Sequence, residues 1–240
     1  MKKLWEVWKM NKSELLITLG SMLVGMVFGS VMVALIVLLA DDVDSYALMG
    51  TFMAFVVWVA VIVFVGAFSL ERRFGMAVAM GETRKSFLIN QWLIMAFNTL
   101  LEILVIVVMN TVEKAIGERL YNLPCDFDVV SQIIDYRLIL AAVVTVPSAS
   151  MFLGMLIAKF QRKAFWGIWV FWMAGSVGMS RLSHLAHMNP DGVLAKMADT
   201  LAASATAMGM TGAALLAVLI GAVMMTVSVA VLRRQAVTQV

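Results

Sequence analysis

The stretch Glu71-Arg-Arg-Phe-Gly-Met-Ala-Val-Ala-Met-Gly-Glu-Thr-Arg-Lys-Ser-Phe87 lies between two long runs of hydrocarbon side chains, residues 47–70 and 88–112. A bilayer-crossing helix needs about 20 consecutive, mostly apolar residues, and both flanks meet that length. The stretch itself carries Arg72, Arg73, Arg84 and Lys85. It is too polar to cross a bilayer, and too regular in its apolar spacing for a random linker.

The rest of the chain follows the same division. Of its 240 residues 62% are hydrophobic and 14% charged, with a mean hydropathy of +0.96. Soluble domains hold roughly 45–50% apolar residues, so the composition excludes an ordinary soluble fold and implies one integral membrane domain. Alternating ten-residue strands of a β-barrel are missing, which leaves helices as the permitted way across lipid. The expected architecture is an all-α polytopic membrane protein with six transmembrane helices, at about 15–40, 47–70, 88–112, 138–158, 164–180 and 211–232. Residues 1–14 precede them as an interfacial amphipathic helix, in which Leu4, Trp5 and Trp8 share one side with lysines on the flanks. Residues 15–240 form a single transmembrane domain.

Charge sets the orientation. If the N-terminus, the 71–87 loop, the 159–163 loop and Arg233–Arg234 share one side, that side holds 13 of the 18 lysines and arginines. By the positive-inside rule it is cytoplasmic, with both termini inside. This places the chain in a cell (cytoplasmic) membrane as a multi-pass protein. Bases clustered between apolar runs, and not along one solvated face, argue against nucleic acid as a partner. The outside segments are 113–137, which is acidic, and 181–210, a helical or re-entrant segment between spans five and six.

Catalytic motifs are few. The chain has no G-x-x-x-x-G-K-[ST] phosphate loop, no H-E-x-x-H and no G-x-S-x-G. His184 and His187 are too few for a zinc site, which wants three or four protein ligands, so no metal site and no catalytic residue is assigned. The Gly25-Met-Val-Phe-Gly29 pattern allows close approach of helix backbones, and Pro147 is expected to kink span four. Glu102 is the one acid well inside a span, with Asn98 one turn before it. An intramembrane carboxylate normally faces the bundle interior or a wet cavity. Two readings stand for it: a substrate-pathway or ion-coupling group, or a hydrogen-bonded tie between helices.

Within the 71–87 stretch, residues 72–80 read as a short helix parallel to the membrane, with Phe74 and Val78 on one face. Gly81 supplies a stop and Thr83 caps the next helix. The pattern Arg73-Phe-Gly-Met-Ala-Val-Ala-Met-Gly-Glu-Thr-Arg-Lys-Ser-Phe87 resembles the first cytoplasmic loop of ABC-2-type transporter permeases, often written R-x-x-G, a small apolar helix, then G-x-[ST]-R-[KR]-x-[FY] in bacterial members. The six-span layout with both termini inside is also similar to that family. The resemblance implies a coupling helix between spans two and three that docks on a separate ATP-binding subunit. Arg72, Arg73, Phe74, Val78, Met80, Gly81, Glu82, Thr83, Arg84 and Lys85 would form the coupling surface. It further implies a second permease chain, identical or not, with no cofactor bound here and ATP and Mg²⁺ held in the partner subunit. The chain would not itself be an enzyme. The lack of a large extracellular domain and of a fused nucleotide-binding domain suits small permeases that export amphipathic or hydrophobic cargo such as bacteriocins, lantibiotics or phenol-soluble modulins. The alternative is an ion-coupled secondary transporter or channel using Glu102, and an intramembrane enzyme is third.

Overall fold

The computed structural model describes residues 2–39, 44–79, 83–128, 130, 135–161, 163–170, 172–175 and 193–234. Among them the chain is helical apart from one small strap. The elements are α1 (Lys2–Leu39), β1 (Tyr46–Ala47), α2 (Met49–Val61), a π-helical turn (Ile62–Gly66), α3 (Ala67–Ala79), α4 (Arg84–Tyr121), β2 (Cys125–Phe127), α5 (Tyr136–Phe160) and α6 (Val193–Arg234). Residues 163–170 and 172–175 are also helical.

Among the described residues five helical stretches are long and apolar enough to cross a membrane: Lys12–Leu39, Met49–Met76, Arg84–Tyr121, Tyr136–Phe160 and Ala207–Leu232. The protein is therefore a multi-pass helical membrane protein. Large exposed side chains such as Leu23, Phe28, Leu104, Leu215 and Leu219 cover its outer surface, as hydrocarbon surroundings allow. The expected fifth span, 164–180, is helical over the part described, and residue 171 and residues 176–180 lie outside the described residues. Its tryptophans form an exposed stripe, Trp166 and Trp169 meeting edge to face at 5.9 Å and Trp172 resting on Phe64 at 6.2 Å.

Three boundaries differ from the sequence reading. Residues 1–14 were expected as a separate interfacial helix, but α1 runs without interruption from Lys2 to Leu39. Nothing in Met10-Asn-Lys-Ser-Glu14 breaks a helix, since it holds neither proline nor glycine. The short helix expected at 72–80 begins earlier, at Ala67, directly after the π turn, and ends at Ala79. Helical structure continues from Met49 to Ala79, through the π turn at Ile62–Gly66. Span three does not stop at 112. α4 has 38 residues, about 57 Å at 1.5 Å per residue, well beyond the roughly 30 Å hydrocarbon core. Its last turns therefore stand outside the membrane.

Packing joins the helices in neighbouring pairs. α1 lies along α2, and the G-x-x-x-G pattern sits at the contact: a Cβ on Gly29 would strike the Met49 carbonyl, and one on Gly25 would lie 3.1 Å from the Met53 oxygen. α5 carries Pro147, which cannot donate to the carbonyl one turn back. α5 packs on α6, where Thr145 donates its hydroxyl to the Ala217 carbonyl at 3.0 Å. α6 turns at Gly209, whose φ of 62° and ψ of 175° leave the helical region. This corner separates the expected outer helix from the last span.

The apolar core has three parts, one of which joins α1, α2 and α4 through Met22, Ala54, Trp58, Ile106 and Met109. Leu70, Phe74, Phe87, Leu88, Met151, Met155 and Leu232 gather at the end that carries the basic loops. Val33, Tyr46 and Leu48 gather at the other end. There β1 pairs in parallel with β2, Tyr46 opposite Cys125 and Ala47 opposite Phe127.

Candidate functional site

The sequence-selected residues fall in two places. At the 79–85 corner, Thr83 caps α4 as expected: its hydroxyl accepts the Ser86 N–H at 3.3 Å. Arg84, half-exposed, and Lys85, exposed, open the helix. Met80, Gly81 and Glu82 lie outside the described residues, as do the side chains of Arg72 and Val78.

Arg73 and Phe74 do not face outward. Phe74 is 7% exposed and packs on Phe87, with ring centroids 5.8 Å apart. Arg73 turns inward to an ion pair with Glu14 of α1, 2.5 Å from Nη1 to Oε2. The other Glu14 oxygen accepts the Ser69 hydroxyl at 3.2 Å, and Ser69 also donates to the Gly66 carbonyl in the π turn. These two side chains therefore bind the inner ends of α1, α3 and α4 together. The docking face expected on Phe74 is inside the chain, because α3 continues span two and its apolar side meets α4.

Glu102 sits at the centre of α4 and is 5% exposed. Trp58 of α2 donates its indole N–H to Glu102 Oε2 at 2.8 Å. Glu102, Asn98 and Thr99 line one cavity of about 30 Å³ with Glu14, Gly66 and Ser150. Asn98 Oδ1 and Ser150 Oγ are buried there without a hydrogen-bond partner. The carboxylate ties α4 to α2, as one of the two sequence readings has it, and it also borders this cavity. Sequence reasoning missed Glu14 as its neighbour, having assigned that residue to the interfacial segment. The signal was present in Glu14 itself, an acid at the mouth of an apolar run.

A second polar centre, also missed, lies at the end of the bundle that carries β1 and β2. Glu113 Oε1 accepts the Gly50 N–H at 2.8 Å, and Oε2 accepts both the Thr51 N–H and the Thr51 hydroxyl at 2.6 Å. Ser30 of α1 reaches Oε1 at 3.4 Å. Helix N-termini leave N–H groups unpaired and favour negative charge. Leu48, at the N-cap of α2, supplies no side-chain acceptor, so Glu113 of α4 takes that role. Beyond it, Asp128 accepts from Asn110 at 3.2 Å and lies 3.7 Å from Lys114 Nζ. The Tyr46 hydroxyl donates to the Lys114 carbonyl at 3.2 Å, its ring seated on Gly117, where a Cβ would lie 2.5 Å away. Burial, then the nearby Cys125 and Glu118, push the Tyr46 phenol up to about 12. Burial and Asp128 also raise the Cys125 thiol.

Among the described residues no group of three His, Cys, Asp or Glu is placed to hold a metal ion, and His184 and His187 lie outside them. Comparison with known proteins returns no matching family model, no matching curated protein and no matching solved structure.

Proposed function

We propose that the chain is the membrane subunit of an ABC transporter. It would work with a separate ATP-binding subunit and a second permease chain, and export an amphipathic or hydrophobic substrate of the kind that peptide toxins and antimicrobial peptides represent. The reading rests on the resemblance of the 73–87 stretch to an ABC-2 permease loop. The observation that carries it here is how that corner is fastened. α3 is continuous with span two, Thr83 starts span three, and Phe74, Phe87 and the Arg73–Glu14 pair clamp both to α1. A push on 79–85 therefore moves three spans together, which is what a motor needs from its contact point. Packed helices respond to such a push by switching between discrete arrangements.

In this proposal the contact with the motor is made by the tip, Arg84 and Lys85 with 80–82, while Arg73 and Phe74 transmit the load inside the chain. Six spans, both termini in the cytoplasm and an outer helix before the last span complete the layout. The test is site-directed cross-linking in membranes: a cysteine at Lys85 should join an ATP-binding subunit that co-purifies with the chain, and one at Leu39, at the opposite end of α1, should not. Equal cross-linking from both would reject the assignment.

A second reading, an ion-coupled transporter or channel, is favoured by the polar cavity at Glu102. It predicts gradient-driven transport by the chain alone in vesicles, abolished by Glu102→Gln.

A further inference from the structure

The cavity bordered by Glu102 lies where two irregular helices meet. On one side is the π turn Ile62–Gly66, and on the other the Pro147 segment of α5. π turns and proline kinks interrupt the regular helical hydrogen-bond ladder, and broken membrane helices are where transport proteins hold small cations. Gly66 keeps the walls close: a Cβ there would lie 2.5 Å from Ser150 Oγ and 3.5 Å from Glu14 Oε1.

We propose that Glu102, Asn98 and Ser150 form an intramembrane site for one sodium ion. Three observations converge on it. Glu102 has no ion-pair partner among the described residues, whereas Glu14, the other acid at the cavity, is paired with Arg73. A lone carboxylate in low dielectric needs a counter-charge. Asn98 Oδ1 and Ser150 Oγ, 8% and 1% exposed by residue, point their lone pairs at no donor. The cavity, about 30 Å³, exceeds the roughly 10–15 Å³ that a single water needs and excludes a hydrated ion.

The alternatives satisfy less. A water molecule pairs the orphaned oxygens but leaves the carboxylate charge uncompensated. A proton on Glu102 neutralises the charge but supplies a single donor for two orphaned oxygens. A dehydrated sodium ion in the cavity these three side chains line would supply the counter-charge and serve all three oxygens. The site is independent of the motor reading. Sodium binding without gradient-driven transport would leave that reading intact, and loss of the motor reading would leave the binding measurable.

The experiment uses the full chain in nanodiscs, with thermal unfolding followed in sodium chloride and in choline chloride at equal ionic strength. Sodium should raise the midpoint in proportion to the logarithm of its concentration above the dissociation constant. Glu102→Gln, Asn98→Leu and Ser150→Ala should each abolish or cut that increment at least tenfold in apparent affinity. Since these variants change packing as well, labelling of the wild-type chain with a hydrophobic carbodiimide gives a second readout. Peptide mapping should find Glu102 modified in choline and protected by sodium, with Glu14 unaffected by the ion. An equal midpoint in both salts, or a sodium increment that survives Glu102→Gln, overturns the proposal. So does Glu102 labelling that sodium fails to protect, which would identify a proton as the occupant.

Discussion

Replacing Glu113 by alanine is expected to unfasten the N-terminal end of α2. The carboxylate accepts two backbone N–H groups, from Gly50 and Thr51, and two hydroxyls, from Thr51 and Ser30. The hydroxyls can turn to other acceptors, so the main loss is the two N–H groups, both on buried residues. A buried donor left unpaired costs about 1–3 kcal/mol. Loss of the negative charge at a helix N-terminus adds about 0.3–1 kcal/mol. Glu113 is half-exposed, and water recovers part of this, so the expected destabilisation is about 2–4 kcal/mol. Glu113→Gln keeps one acceptor oxygen but presents an amide N–H₂ to the second donor, and should lose about half as much. The assay is reversible unfolding in mixed micelles, combined with hydrogen exchange at the Gly50 and Thr51 amides. Those two amides should exchange faster in the variant while amides in the middle of α4 stay protected. A change under about 0.5 kcal/mol, with slow exchange retained at Gly50 and Thr51, would refute the cap.

Further outcomes follow from other contacts. Arg73→Leu leaves the Glu14 carboxylate, only 14% exposed, without its charge partner and should cost about 3 kcal/mol. The double variant with Glu14→Leu should recover most of that, and strictly additive losses in the cycle would contradict the pair. Gly29→Leu forces α1 off the Met49 carbonyl and should destabilise by at least about 1–3 kcal/mol. Gly20→Leu, with open space around it, should be nearly neutral, and equal effects would contradict the α1–α2 contact. The Tyr46 phenol, raised from 10.0 to about 12, keeps its proton in the folded state where the unfolded chain has lost it. Folding therefore binds more protons between those values, so its contribution is complete below about pH 10 and falls as pH climbs toward 12. The phenolate absorbance of the wild type minus that of Tyr46→Phe should show a late titration. One centred at the ordinary tyrosine value would contradict the burial.

The sequence located the lipid more surely than it located the helices. Residues 88–112 are apolar enough to call a span, but α4 continues to Tyr121 because Glu113-Lys-Ala-Ile-Gly-Glu-Arg-Leu-Tyr121 contains no breaker beyond one glycine. Hydropathy marks where side chains turn polar, and the backbone ladder is indifferent to that change. The same reasoning explains why no helix boundary falls at the first basic residues: Leu70-Glu-Arg-Arg changes polarity in the middle of α3 without ending it. Local signals with local partners were legible. Thr83 caps three residues downstream, and Gly25 and Gly29 mark a close approach whatever the partner. Glu113 and Glu14 were not, since each finds its partners some 60 positions away. For Phe74, spacing identified an apolar face but not the surface it covers. The choice between an outside subunit and Phe87 depends on how α3 and α4 are placed against each other, which no periodicity encodes.

The proposal that residues around Arg84 and Lys85 receive force from an external motor is tested most directly by ATP hydrolysis in proteoliposomes that contain the chain and a co-purifying ATP-binding subunit. The account predicts that adding the chain stimulates hydrolysis, and that Arg84→Glu with Lys85→Glu reduces the stimulated rate at least tenfold while the protein stays folded. Hydrolysis unaffected by the chain or by the double reversal, with cargo moved by the chain alone down an ion gradient, would contradict it.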